Sequence, residues 1–214
     1  MAKVRSGGFG PQCLTLRSRL LPSVAGRAAR GAPLTFNVRF QGEDMRYLHI
    51  NGVDVKADFS TENGILYRYR LEIRKIGSPA SSKTVCAIMQ NPSYAGEEEA
   101  DKSVQFLEKN IFELDLPEFK NVGRLIVVNQ FARVQTNGFV GDPSEIGERN
   151  DLAISKAIDE SDIALIAWGS SNRFIDRKKF VLDQLSSQRH KKFYQTKMHP
   201  SRGRYDGFIL PLEI

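Results

Sequence analysis

The chain has 214 residues, enough for one well-buried domain with additions, and no apolar run approaches the roughly 18 residues that a membrane helix needs. Its net charge of +6 resides in residues 1–33, where Lys3, Arg5, Arg17, Arg19, Arg27 and Arg30 stand without an acid; the rest of the chain carries 25 basic and 25 acidic residues. Two cysteines, Cys13 and Cys86, give no disulfide framework and no zinc or iron–sulfur spacing, so no metal or other cofactor is expected and a reducing cytoplasm is the default compartment.

Residues 1–33 are rich in Gly, Ser, Arg and Ala and read as a basic flexible arm. Three readings fit it: an arm that tracks DNA, a tail without function, or an organelle targeting peptide. Residues 34–76 predict an antiparallel β-meander packed on the main domain. Short strands fall at 34–40, 47–50 and 53–59, with Asn51-Gly52 as a hairpin signal. In the last strand, 65–74, Ile65, Tyr67, Tyr69, Leu71 and Ile73 alternate with Arg68, Arg70, Glu72 and Arg74, the period of two of a half-buried strand.

Residues 77–214 read as an α/β domain. Strands at 84–89, 124–129, 162–168 and 192–196 alternate with helices at 98–112, 143–160 and 172–187. Cys86 is a core residue. Glu97, Glu98, Glu99 and Asp101 fit the solvated first turn of the first helix, favoured by its dipole. Asp142 or Ser144 caps the second helix, and Asn150 and Asp151 pin a loop. Trp168 belongs to core or rim packing. Apolar strands alternating with helices imply a mainly parallel sheet covered on both faces. The expected fold is a three-layer α/β/α sandwich with a four-stranded central sheet, plus the N-terminal meander.

Sites in such folds lie at the carboxyl ends of the strands. There the sequence sets Gln90-Asn91-Pro92-Ser93-Tyr94, Asn129-Gln130-Phe131-Ala132, Trp168-Gly169-Ser170 and Thr196-Lys197-Met198-His199-Pro200-Ser201. No nucleophile elbow, phosphate loop or dinucleotide fingerprint accompanies them. Amides, one histidine and aromatic rings suit holding a water and a planar ligand. Arg189, His190, Lys191, Lys192, Lys197, Arg202 and Arg204 form a basic cluster suited to nucleic acid.

These strand ends resemble, in order, the motifs of the uracil-DNA glycosylase superfamily. Gln90-Asn91-Pro92 resembles the water-activating loop, Val127-Val128-Asn129 the strand whose Asn reads the pyrimidine edge, and Ala167-Trp168-Gly169-Ser170 a family strand end. Gln195-Thr196-Lys197-Met198-His199-Pro200-Ser201 resembles the His-Pro-Ser loop, whose His stabilises the leaving base. The chain also resembles a bacterial and phage domain family of unknown function, numbered 1643, through Asn91-Pro92-Ser93, Asn129-x-Phe131-Ala132, Glu148-Arg149-Asn150-Asp151 and Trp168-Gly169. Some members of this group look like anti-phage glycosylases that remove modified cytosines.

The resemblance implies a monofunctional DNA glycosylase, monomeric and bacterial, acting on double-stranded DNA and away from membranes. Asn91 would hold water and His199 would stabilise the departing base. Gln90, Ser93, Tyr94, Asn129 and Phe131 would bind the flipped base, Tyr94 or Phe131 by stacking. Ser170, Lys197, Ser201, Arg202 and Arg204 would contact DNA. The uracil-specific pattern has Asp in place of Asn91 and Tyr in place of Ser93. The smaller Ser93 leaves room for a substituent on the pyrimidine 5-position, as in glucosylated hydroxymethylcytosine of phage DNA. Other readings stay open: a catalytically silent nucleic-acid-binding module, a uracil or thymine mismatch glycosylase, and an enzyme of free nucleosides.

Overall fold

The computed structural model describes residues 46–204 and 206–214. The basic arm, Cys13 and the strand expected at 34–40 lie outside them. Seven strands form one mixed sheet in the order β1-β2-β4-β3-β5-β6-β7. They are β1 (Val53–Glu62), β2 (Ile65–Lys75), β3 (Lys83–Met89), β4 (Val122–Asn129), β5 (Ile163–Ile166), β6 (Lys192–Thr196) and β7 (Ile209–Pro211). The four expected strands are the parallel centre, β4-β3-β5-β6. The expectation of a four-stranded sheet is corrected at both edges. The β1–β2 hairpin joins β4 antiparallel, and β7, three residues long, joins β6 antiparallel.

The hairpin turn is also relocated. Glu62 faces Ile65 across Asn63-Gly64, whose φ angles of 51° and 78° give the left-handed pair that a two-residue turn requires. Asn51-Gly52 turns the chain without making a hairpin, because residues 47–50 form no strand; Tyr47 makes a single bridge to Ala100. Side chains hold this segment instead. His49 Nδ1 lies 2.5 Å from Glu108 Oε1, His49 Nε2 lies 2.9 Å from the Gly96 carbonyl, and Ile50 N donates to Glu108 Oε2 at 3.0 Å.

Helix α1 (Lys102–Glu108) begins later than the periodicity suggests and runs on into a π-helical turn, Lys109–Glu113. Asp101 is its N-cap, accepting from Val104 N at 2.7 Å. Glu97, Glu98 and Glu99 therefore precede the helix, and Glu97 instead accepts from Ala57 N. The helix expected at 143–160 is split. A 3-10 turn (Pro143–Glu145) carries a capping box from Asp142, and α2 (Asn150–Asp159) follows. Gly147 makes the break: its φ is +84°, and a Cβ there would lie 2.8 Å from the Tyr69 hydroxyl. Helix α3 (Ile175–Ser186) starts after Phe174, itself left-handed at φ 60°.

Side-chain alternation divides the core between the two sheet faces. Val85, Ala87, Met89, Leu125 and Val127 pack with Val104 and Leu107 of α1. Cys86, Ile88, Ile126 and Val128 pack with Ile154 and Ile158 of α2 and Val181 and Leu185 of α3. Burial raises the Cys86 thiol pKa to about 12. Trp168 belongs to the second core.

Strand β2 breaks this alternation. Its pairing with β1 shifts between Asp58↔Arg70 and Phe59↔Arg68, which leaves Tyr69 as the extra residue of a β-bulge. Leu71 and Ile73 face the α1 side, whereas Tyr67 and Tyr69 cluster with Ala132 and Ala153 of α2. Arg68, expected on the polar face with Arg70, Glu72 and Arg74, is instead 1% exposed. Among the described residues no helix is long and apolar enough to cross a membrane.

The His49–Glu108 contact predicts a pH dependence. Burial disfavours the imidazolium, but the Glu108 hydrogen bond and charge, with the Gly96 carbonyl, outweigh it and raise the His49 pKa above 6.5. A group raised on folding stabilises fully below its unfolded pKa, and that contribution is lost as pH rises through the folded value. The urea midpoint of the protein should therefore fall as pH rises above the ordinary histidine value of 6.5 and through the raised His49 pKa, and His49→Gln should flatten that fall. Equal pH profiles for both proteins contradict the assignment.

Candidate functional site

Parallel pairing sets the four predicted loops side by side at one edge of the sheet, in the order of β4, β3, β5 and β6. Neighbouring strands are about 4.8 Å apart, so the loops after β3 and β6 are separated by about 10 Å, the width of one intervening strand position. That position belongs to β5, which leads into Trp168 and Gly169. Gly169 has φ +82°, and a Cβ on it would lie 2.9 Å from the His199 backbone nitrogen. Glycine thus lets the His199 loop close onto the end of β5.

His199 is half-buried before a 3-10 turn (Pro200–Arg202). Its Nδ1 lies 3.3 Å from the Ser201 backbone nitrogen and 2.9 Å from Ser201 Oγ. A backbone N–H can only donate, so Nδ1 carries the lone pair and the ring proton resides on Nε2. Burial lowers the His199 pKa; Asp101 opposes and Arg202 adds to this. The ring is therefore neutral at pH 7 and offers Nε2–H as a donor.

Across the gap, Asn91 Nδ2 donates to the Gln135 carbonyl at 2.7 Å, and Gln135 N donates to the Pro92 carbonyl at 3.1 Å. These bonds pin Gln135 to the β3 loop and leave Asn91 Oδ1 as its acceptor, approached among the described residues by Gln90 Nε2 at 3.4 Å. Ser93 Oγ donates to the Asp101 carboxylate and accepts from Ala95 N at 3.2 Å. The Ser93 hydroxyl thereby ties the β3 loop to the start of α1. Tyr94 is 71% exposed.

The end of β4 is buried and polar. Asn129 is 1% exposed, and its Oδ1 accepts from Arg68 Nη2 at 3.2 Å. Its Nδ2 has no partner among the described residues, nor has either amide atom of Gln130, a fully buried side chain. Asn150 Nδ2 donates at 3.0 Å to the carbonyls of both Asn129 and Gln130, and Arg177 Nε donates to the latter at 2.9 Å. Asp151 holds Arg177 through an ion pair of 2.7 Å. Asn150 and Asp151 are therefore the pins of this loop.

Phe131 differs from its expected role. It is 2% exposed, with its ring edge-on to Phe139 and Phe174 at 5.1 and 5.0 Å between centroids. The three rings support the loop, and Phe131 offers no free face for stacking. The basic cluster is corrected too. Lys197, Arg202 and Arg204 are exposed near His199, as is Ser170, and Ser201 is half-exposed beside them. Residues 189–192 lie at the opposite end of β6. Lys191 is buried there, donating to the carbonyls of Ile158, Asp159 and Ser161 below the end of α2.

Sequence patterns missed Arg68 and Asp101. Arg68 Nη1 donates to the Ala95 carbonyl at 2.7 Å, and its Nε has no partner among the described residues. Burial lowers its pKa to about 10, with Asp101 attracting from nearby, so it remains charged at pH 7. The Asp101-x-x-Val104 cap preceding an apolar run was the available signal for Asp101. Nothing in the letters marks the bulge that turns Arg68 inward. A cleft of about 630 Å³, lined by Lys75, Ser78, Phe112 and Lys120, opens at the other end of β4; the four motifs contribute nothing to it.

Among the described residues no three His, Cys, Asp or Glu side chains gather as a metal site. The sequence pattern of a family described as "Protein of unknown function (DUF1643)" matches residues 68–202, from Arg68 to Arg202. No curated protein matches the chain.

The pinning by Asn150 carries a prediction. Asn150→Ala leaves two buried carbonyls short of a donor, and should destabilise the protein by about 2–4 kcal/mol in urea titration. A change below about 0.5 kcal/mol contradicts the pinning role.

Proposed function

Because the chain belongs to the DUF1643 family, whose description assigns no activity, we propose its function from the site: a DNA glycosylase that hydrolyses the N-glycosidic bond of a flipped, 5-substituted pyrimidine. The observation that carries this reading is the neutral His199, with Nδ1 fixed by Ser201 and Nε2–H left to donate.

A pyrimidine leaves its sugar carrying negative charge, and a positioned donor at the base oxygen stabilises that charge as it develops. Asn91, in the loop after β3 and two strand positions from the His199 loop, has Oδ1 left to orient a water toward the sugar carbon. An amide is a weak base, which suffices where the transition state is cation-like and needs a placed nucleophile rather than a strong one. Gln90 and Asn129 lie at the same edge to meet the base. Tyr94 is the exposed aromatic that can stack on it or on a neighbouring base.

The DNA-contacting group is Lys197, Ser170, Ser201, Arg202 and Arg204. These surround the His199 loop and suit phosphates beside an extruded nucleotide. Ser93 supports a 5-substituted substrate: it is small, and its hydroxyl turns to Asp101. The resemblance to the uracil-DNA glycosylase superfamily and to anti-phage enzymes supports a substrate in phage DNA with modified cytosine, and a role in bacterial defence.

Asn91 supports a second reading, because its donor is already engaged by Gln135. A binding module on this fold uses Asn91 for loop structure alone. The two readings separate on Asn91→Ala and His199→Ala, tested on duplex oligonucleotides bearing one 5-hydroxymethylated or glucosylated pyrimidine. For a glycosylase each substitution lowers the rate of base release by about 10²–10³-fold while DNA affinity changes little. Wild-type protein that binds these duplexes and releases no base supports the binding module.

The Ser93 assignment has its own test. Ser93→Tyr should suppress release of 5-substituted bases by at least about tenfold relative to unsubstituted ones, read as a ratio within one protein preparation. An unchanged ratio removes Ser93 from substrate selection.

A further inference from the structure

We propose that the amino end of the parallel strands carries a second binding site, a recess formed by Arg74, Arg124, Thr84 and the serines of the 78–82 loop, which takes a terminal phosphate group. It lies at the other end of β3 and β4 from Asn91 and Asn129 and goes beyond the glycosylase reading, on which it does not depend.

Strand register assembles the site. Arg74 of β2 and Thr84 of β3 both pair with Arg124 of β4, one on each side. Cross-strand partners share a face, so the three side chains form a row about 10 Å long. Arg124 is in phase with Ile126 and Val128, and Thr84 with Cys86 and Ile88, which puts the row on the α2 side of the sheet. The 78–82 loop closes against it. A Cβ on Gly123 would lie 2.6 Å from Ser82 Cβ and 2.7 Å from Ser78 Cβ, so only glycine lets this loop rest on β4. The recess has a volume of about 200 Å³, and Arg74, Arg124, Thr84, Ser78, Ser82 and Gly123 all line it.

Donors are in excess there. Arg74 Nε donates to Glu72 Oε1 at 2.5 Å, and Arg124 Nη2 donates to Glu160. Among the described residues, the two Nη atoms of Arg74 and the hydroxyls of Ser78, Ser82 and Thr84 have no hydrogen-bond partner. Nor has Arg124 Nε, a buried atom 4.0 Å from Glu72 Oε1. Thr84 is only 7% exposed, and a hydroxyl set so deep calls for a partner from outside the chain.

The charge points the same way. Arg74 and Arg124 stand directly opposite each other, an unfavourable like-charge pair. Glu72 and Glu160 answer the three arginines Arg70, Arg74 and Arg124, which leaves one positive charge uncompensated. No Asp or Glu lines the recess, and Lys75 at its rim turns its amine to the Phe112 carbonyl at 3.4 Å. Two guanidinium groups and three hydroxyls match a ligand with several acceptor oxygens and more than one negative charge, which is a phosphate monoester or inorganic phosphate. The sheet closes the floor and the loop one side, so the recess suits the end of a molecule rather than a strand running through it.

The test follows the backbone amides of Ser78, Ser82, Thr84 and Gly123 by NMR in the full chain, as inorganic phosphate replaces chloride at constant ionic strength. These amides should shift saturably. Thr84→Val, which keeps shape and strand preference, and Arg74→Gln, at an exposed side chain, should each weaken the affinity at least about tenfold. Cytidine 5′-monophosphate should shift the same amides, and a DNA duplex with 5′-hydroxyl ends should leave them in place. No saturable shift by about 50 mM phosphate overturns the proposal without any variant. Shifts confined to the loop from Lys197 to Arg204 overturn it as well, as does equal affinity in folded Thr84→Val and Arg74→Gln. Shifts caused by the duplex and not by phosphate make the recess a contact for the DNA backbone and overturn the assignment to a terminal phosphate.

Discussion

The guanidinium of Arg68 connects three segments that the chain visits far apart. It is anchored in β2, binds the loop after β3 at Ala95 and reaches the end of β4 at Asn129. A desolvated cation tolerates few arrangements, because each donor needs an oxygen in a fixed direction. The guanidinium thus holds the β3 loop over the end of β4. The loop is fastened further by Ser93 on Asp101, by His49 on Gly96 and by Glu97 on Ala57. These contacts set where Asn91 and Tyr94 emerge.

On the other face, the site is supported by groups that never reach a ligand. Asn150 and Arg177 draw the carbonyls of Asn129 and Gln130 toward α2 and α3, and the Phe131–Phe139–Phe174 cluster braces the same loop. The result is a buried floor whose amide atoms on Asn129 Nδ2 and on Gln130 have no partner among the described residues. Buried polar atoms are normally satisfied, and those left over concentrate where function requires them. The His199 loop closes the row through its packing on Gly169 and α1, the latter marked by Gly203 lying against the Phe106 ring.

Much of this was legible in the letters. Apolar runs located the four parallel strands, and the rule that sites lie at carboxyl ends brought Asn91, Asn129, Gly169 and His199 to one edge. What escaped has definite physical causes. The alternation from Ile65 to Ile73 continues unbroken in the sequence while the backbone bulges at Tyr69, so the inward face changes without a compositional mark. Asn51-Gly52 and Asn63-Gly64 carry the same turn signal, and only long-range pairing selects the second. The helix expected through 143–160 breaks because Gly147 must clear Tyr69, a residue of another strand. Lys191 looked like part of a basic surface, yet it satisfies carbonyls at the end of α2. Phe131 followed a strand end as a ligand-facing residue would, but two distant phenylalanines enclose it.

Catalysis at this edge is tested most directly by exposing phage DNA that carries glucosylated hydroxymethylcytosine to the purified full-length chain. Mass spectrometry of the small-molecule fraction and alkaline cleavage of the DNA read the outcome together. A glycosylase site predicts free modified base in amounts equal to the alkali-labile sites formed, with both lost in His199→Ala. DNA that binds the protein yet yields neither free base nor labile sites contradicts it.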